Sequence, residues 1–310
     1  TAEDQFRRAY RQQKPPRVGV EQLALLLGIG GRYWEQGPFL LELIRDEKFN
    51  NLHLYLLQEG RTKPVNPDSI PMYMKTDPDD PVPQLGWATQ KILVGDFGGA
   101  ISGLRRIVDT HPEMIEAHAK LGLALLADGR REELVDWNRQ LPKAAGNHPD
   151  IWVVRGALAE LLDQSAAAIR CYWEAVRLDP NNVKSGLPLG RLLGKVAGET
   201  EAAGRFQQRA AKLIEFSAII EDTHTNAKPE NSRANAKLAE SLGLMWEAFG
   251  WTHLALRVNI SSASQRDHAE LSRLRKITKD LPLVRTAPGS NPAEEFDLSE
   301  FPQPDWISAE

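Results

Sequence analysis

The chain has 310 residues, 42% hydrophobic and 26% charged, with a formal net charge of −4 and a pI near 6.0. That is enough apolar material for a sizeable core, and the acidic balance argues against non-specific nucleic-acid binding as the main role. The lone cysteine, Cys171, excludes an intramolecular disulfide and a cysteine zinc site, and no run of 18 apolar residues marks a membrane-spanning helix. The sequence begins at Thr1 rather than Met, which reads as a processed or truncated form in which an upstream leader would be invisible. An exported, periplasmic location is preferred to a cytoplasmic one.

Residues 1–80 read as an N-terminal helical extension and cap. Asp4 to Gln13 is a short polar helix, broken by Lys14-Pro15-Pro16. Glu21 to Leu27 and Phe39 to Arg45 are apolar helical segments, separated by Gly28, Gly30, Gly31 and Pro38. Phe49 to Leu57 is a further helix, and Pro64 to Pro83 a connection rich in proline and aspartate. Gly28-Ile29-Gly30-Gly31 lacks the third glycine and the preceding strand of a dinucleotide loop, so it reads as a turn between helices.

From residue 81 a period appears. Ala88, Gly122, Gly156 and Gly190 recur with a 34-residue period, as do Ala100, Leu134, Ala168 and Ala202, and Gly95, Gly129, Asp163 and Ala197. Each unit reads as two helices joined by a turn at the third column, where positive φ favours glycine or aspartate. The first two columns mark the close crossing of the helices, where a larger side chain would overpack at about 1–3 kcal/mol. Trp152, Tyr172, Ala175 and Leu178 recur at helical spacing in the third unit, and Leu189, Leu193 and Phe206 in the fourth. Pro112 and Pro180 close units, while Leu141-Pro142 and His148-Pro149 make the end of the second irregular. A fifth unit fits with Gly243, Gly250 and Ala255, displaced by 19 extra residues within about 217–235.

These residues resemble the tetratricopeptide repeat (TPR) family in five respects. They are the 34-residue period, the small residue at position 8, the alanine at position 20, the aromatic at position 24 (Tyr172, Phe206) and the closing proline at position 32. The likeness covers about 81–216 and 236–269. Leu134, Asn138, Asn259 and Arg209 depart from the pattern. The resemblance implies an all-α fold, a right-handed α-solenoid of helix-turn-helix repeats over 81–280, with Gln265 to Leu281 as a C-terminal capping helix.

The tail from Pro282 holds five prolines, six acidic residues and one arginine, so it is extended or disordered unless it docks. Phe296, Phe301 and Trp306 are its docking anchors, or the lead into a further domain. An array ending in FDLSEFPQPDW is also similar to the N-terminal part of larger exported bacterial proteins that continue into an ASPIC/UnbV-type β-propeller. In that reading the array is an assembly module.

No catalytic set stands out, and no metal or cofactor is expected. His111, Glu116 and His118 lack further ligands at matching geometry, with His118 packing between units. Gly194-Lys195 lacks the frame of a phosphate loop, Cys171 reads as a structural thiol, and Asn259-Ile260-Ser261 is a weak sequon. An enzyme site in residues 1–80 finds no paired acid and base. In TPR arrays the first helices line a concave groove. Here that places Leu85, Thr89, Glu116, Ala119, Leu123, Val153, Ala157, Glu160, Lys184, Leu187, Arg191 and Glu240 on the groove, with Lys120 beside the row. Pro188 stands where a carboxylate clamp would want a base, so a full clamp is not expected. The sequence reads as a non-enzymatic scaffold that binds a protein or peptide segment.

Overall fold

The computed structural model describes residues 2–12, 19–61, 63–226, 228–258, 264–304 and 306. Asn259-Ile260-Ser261 and Lys14-Pro15-Pro16 lie outside the described residues. Among the described residues the secondary structure is helical, with no strand. The chain forms two compact units, Thr1–Ile70 with Lys212–Ser290, and Pro71–Ala211 with Asn291–Glu310. The expected boundaries near 80 and 281 do not coincide with these.

The N-terminal helices are α1 (Ala2–Gln12), α2 (Val20–Ile29), α3 (Tyr33–Arg45) and α4 (Asn51–Glu59). Pro38 does not separate elements as expected, since α3 runs through it. Helix α4 starts at Asn50, whose side chain accepts from the His53 amide, while His53 Nδ1 accepts from the Asn50 amide. The expected connection at 64–83 contains another helix, α5 (Ile70–Thr76).

The periodic region follows as hairpins. They are α6 (Pro81–Leu93) with α7 (Phe97–Thr110), α8 (Ile115–Ala127) with α9 (Arg131–Arg139), and α10 (Pro149–Leu161) with α11 (Ser165–Leu178). Helix α12 (Val183–Leu193) then pairs with the start of α13 (Thr200–Thr225). The first helices begin at 81, 115, 149 and 183, one period apart each time. The hairpins pack internally and each on the next, which is an α-solenoid of helix-turn-helix repeats. Gly95, Gly129 and Asp163 take positive φ of 80°, 71° and 57° at the turns, while in the fourth hairpin Gly198, not Ala197, does so at 87°.

The small column has a more specific cause than helix crossing. A Cβ on Gly156 would stand 2.7 Å from the Tyr172 ring, and one on Gly122 2.5 Å from the Trp137 ring. In these two hairpins the glycine is the recess into which the second helix plugs an aromatic ring, whereas Gly190 in the fourth faces Gln207 and the Ala203 carbonyl. In the second hairpin Trp137 fills that recess one residue before the expected position, and Asn138 turns instead to accept from Arg155 Nε at 2.8 Å. Arg209, where a small residue was expected, donates to the Pro180 carbonyl and to Asn181 Oδ1 at 2.9 and 2.7 Å, tying α13 to the preceding turn.

The first unit is completed by the end of α13, α14 (Pro229–Ser241), α15 (Met245–Val258) and α16 (Gln265–Lys279). The expected register of the fifth repeat is corrected here. Gly243 is the turn residue between α14 and α15, at φ 73°, and Gly250 lies inside α15. A Cβ on Gly250 would meet Leu54 at 2.8 Å. Helix α14 starts at 229, whereas a further step of the period from α12 would start it at 217, so the insertion is shorter than expected. It is spent on lengthening α13 to 26 residues, not on a loop. Ser264 and Asp267 form a capping box at α16, and Arg233 clamps Asp267 with two bonds of 2.9 Å.

The tail is docked over its described part. Ala293 and Phe301 are buried in the core of the second unit, with Phe296, Leu298 and Trp306 packed against it.

Candidate interaction surface on the first helices

The residues expected on the groove divide by burial. Leu85, Thr89, Glu116, Ala119, Lys120 and Val153 are interior. Leu123 and Ala157 are half-buried, as is Glu160. Lys184, Leu187 and Arg191 are exposed, Leu187 to 41%. Glu240 belongs to the first unit, where it accepts from Arg273 of α16 at 2.7 Å.

The exposed members come together on α12. Lys184, Leu187 and Arg191 are three and four residues apart, hence on one face. The helix is started by Asn182, whose side chain accepts from the Lys184 amide at 3.0 Å. Leu189 and Leu193 turn inward, which aims the other face outward. Arg191 ion-pairs with Glu160 of α10, and Glu160 also accepts from the Tyr172 hydroxyl at 2.9 Å. Burial, with the Glu160 charge beside it, raises the Tyr172 phenol above its ordinary value. The surface is thus an exposed leucine between two cations, with a carboxylate at one edge.

The interior members form a different structure, which sequence reasoning missed. His148 Nδ1 accepts from the Asp150 amide at 3.2 Å, so the neutral ring carries its proton on Nε2, which donates to Glu116 at 3.0 Å. One hairpin later Asn182 repeats this, capping its own helix through Oδ1 and donating through Nδ2 to Asp150 Oδ1 at 2.9 Å. In both places the residue before a first helix ties back to the second residue of the previous first helix. Lys120 approaches Glu116 at 3.5 Å, with both side chains buried. The signal was present as His148 and Asn182, and Glu116 and Asp150, each pair one period apart.

The other motifs have structural places. His118 bonds the Pro112 carbonyl at 3.0 Å, and burial lowers its pKa. Cys171 is buried, which pushes its thiol up to about 12. No group of three or more His, Cys, Asp or Glu that could hold a metal occurs among the described residues. No described helix is long and apolar enough to cross a membrane.

No family model matches the chain, and no curated protein matches it. Among the solved structures that align with it are two TPR proteins. One is TTC0263, a thermophilic TPR protein in Thermus thermophilus, at 17% identity over 62% of this chain and 96% of that one, with a TM-score of 0.36. The other is YrrB, described as a TPR protein with an unusual peptide-binding site, at 15% identity over 68% and 99%, also with a TM-score of 0.36. The all-α, helical-repeat fold stands on the hairpins of the chain itself.

Proposed function

We propose that this chain is a non-enzymatic scaffold that holds a protein or peptide segment against its first helices, around α10 and α12. The observation that carries the reading is the outward face of α12, where Leu187 is exposed between Lys184 and Arg191. An extended or helical segment with an apolar anchor and a neighbouring acid complements that face. The buried charges of α8 hold the hairpins together and so fix this surface rather than contact the segment.

The test places a photo-crosslinking amino acid at position 187 of the full chain and maps adducts from native extract by mass spectrometry. A recurrent peptide adduct, lost in a Lys184→Glu/Arg191→Glu variant of unchanged helicity, is the expected result. Adducts that are indifferent to both reversals would remove the α12 face from the function. Calorimetry with the mapped segment should then show weaker binding for Arg191→Glu.

A further inference from the structure

The tail meets a surface that the groove reading does not use. Residues 291–306 read NPAEEFDLSEFPQPDW, with five carboxylates, no base and three aromatic residues. The described part of this segment lies on the second helices of the third and fourth hairpins, α11 and α13. Trp173 Nε1 donates to the Ala293 carbonyl at 3.2 Å, and Arg170 donates to the Phe301 carbonyl at 3.4 Å. Asn291 donates to the Val176 and Arg177 carbonyls at the end of α11, at 3.3 and 3.1 Å. Arg205 pairs with Glu295 at 3.3 Å. Phe296 stands edge-on to Phe206 and stacks with Phe301, at 6.3 and 6.0 Å between centroids. Trp306 Nε1 reaches Gln164 at 3.0 Å.

The segment lends two side chains to the core of the second unit without adding a regular element to it. Apart from one 3-10 turn at Pro292–Glu295 the described segment has no extended regular structure. Phe301 is buried to 6% exposure, while Glu294, Glu295, Asp297, Glu300, Pro302 and Gln303 remain exposed. Two of the receiving side chains, Trp173 and Arg170, bond to carbonyls, which any sequence offers, while the aromatic spacing sets the register. The Trp173 ring is flanked by the guanidiniums of Arg170 and Arg177 at 5.6 and 5.9 Å, which share Glu174 between them at 2.8 Å each, so the floor is aromatic with one net positive charge.

We propose that this trough on α11 and α13 is a second peptide-docking site, for acidic extended segments whose aromatics are spaced as Phe296 and Phe301 are. The chain's own tail holds it in cis and competes with a partner's segment. A tethered occupant acts at millimolar effective concentration, so releasing it raises the apparent affinity for a free peptide by at least about tenfold.

The probe is a fluorescent synthetic peptide of residues 291–306, titrated against the full chain and against a full-length Phe296→Ala/Phe301→Ala variant. The expected result is at least about tenfold tighter binding to the variant, weakening with salt. Adding Trp173→Ala to that variant should abolish it, while Lys184→Glu/Arg191→Glu should leave it unchanged, which separates this site from the α12 face. Equal binding to the intact and loosened chains, or equal binding of a scrambled peptide, overturns the proposal. The intact protein gives a readout that does not depend on the variants folding. Excess peptide at millimolar concentration should speed hydrogen exchange over 293–301, and an unchanged rate there would also overturn it.

Discussion

The glycine recess can be tested by filling it. Gly156→Ala adds a Cβ at 2.7 Å from two Tyr172 ring carbons and 2.9 Å from a third, closer than carbon atoms approach one another. Tyr172 is 3% exposed and its hydroxyl is held by Glu160, so the ring has little room to retreat. Overpacking of this kind costs about 1–3 kcal/mol. Removing glycine from a helix interior returns about 1 kcal/mol, because the unfolded chain loses freedom. Gly204→Ala in α13 isolates that gain, since a Cβ there meets nothing within 4 Å. The difference between the two variants is the steric cost alone, about 1–3 kcal/mol in favour of Gly204→Ala. Urea midpoints followed by circular dichroism give the order, and hydrogen exchange over α10 and α11 localises the loss. Combining Gly156→Ala with Tyr172→Leu should recover part of it. If Gly156→Ala proved as stable as Gly204→Ala, the recess would not be what fixes glycine at this position.

Three further outcomes are expected. Glu116→Ala removes the carboxylate beside the buried Lys120 ammonium and the acceptor of His148, costing about 3 kcal/mol by denaturant titration, with Glu116→Leu/Lys120→Met recovering much of it. Asp267 has its pKa lowered, first by the Arg233 bonds and then by the Ser264 cap. That stabilisation is complete above the unfolded value of about 4 and is lost as pH falls toward the folded one, so the stability gap to Asp267→Asn should narrow in acid. With its thiol pushed up to about 12, Cys171 should resist a disulfide reagent at mildly alkaline pH in the folded chain and react at once in denaturant.

The first four hairpins were legible because one spacing carried three kinds of information: the recess, the inner alanine and the turn. The fifth was misread because Gly243 and Gly250 are the same letter in different roles. One needs positive φ and the other needs room for Leu54, and spacing alone does not separate them. Pro38 misled for the opposite reason, since a helix can continue through a proline when packing holds it. On the candidate surface, Lys184, Leu187 and Arg191 are exposed. Glu116 and Lys120 were not recognisable as interior, because burial of a charge depends on partners, His148 among them, that lie in another hairpin. The docking of the tail was foreshadowed by its aromatics, but its receiving helices were not, since Trp173 and Arg170 look like ordinary outward residues.

The second hairpin shows that the recess accepts a ring from either of two neighbouring places along the helix, Trp137 serving where Tyr172 serves in the third. What the recess takes is therefore a ring within reach, not a ring at one ordinal position. A lineage of such hairpins can let its signature letters wander while its cross-section stays constant, so architecture outlasts spelling.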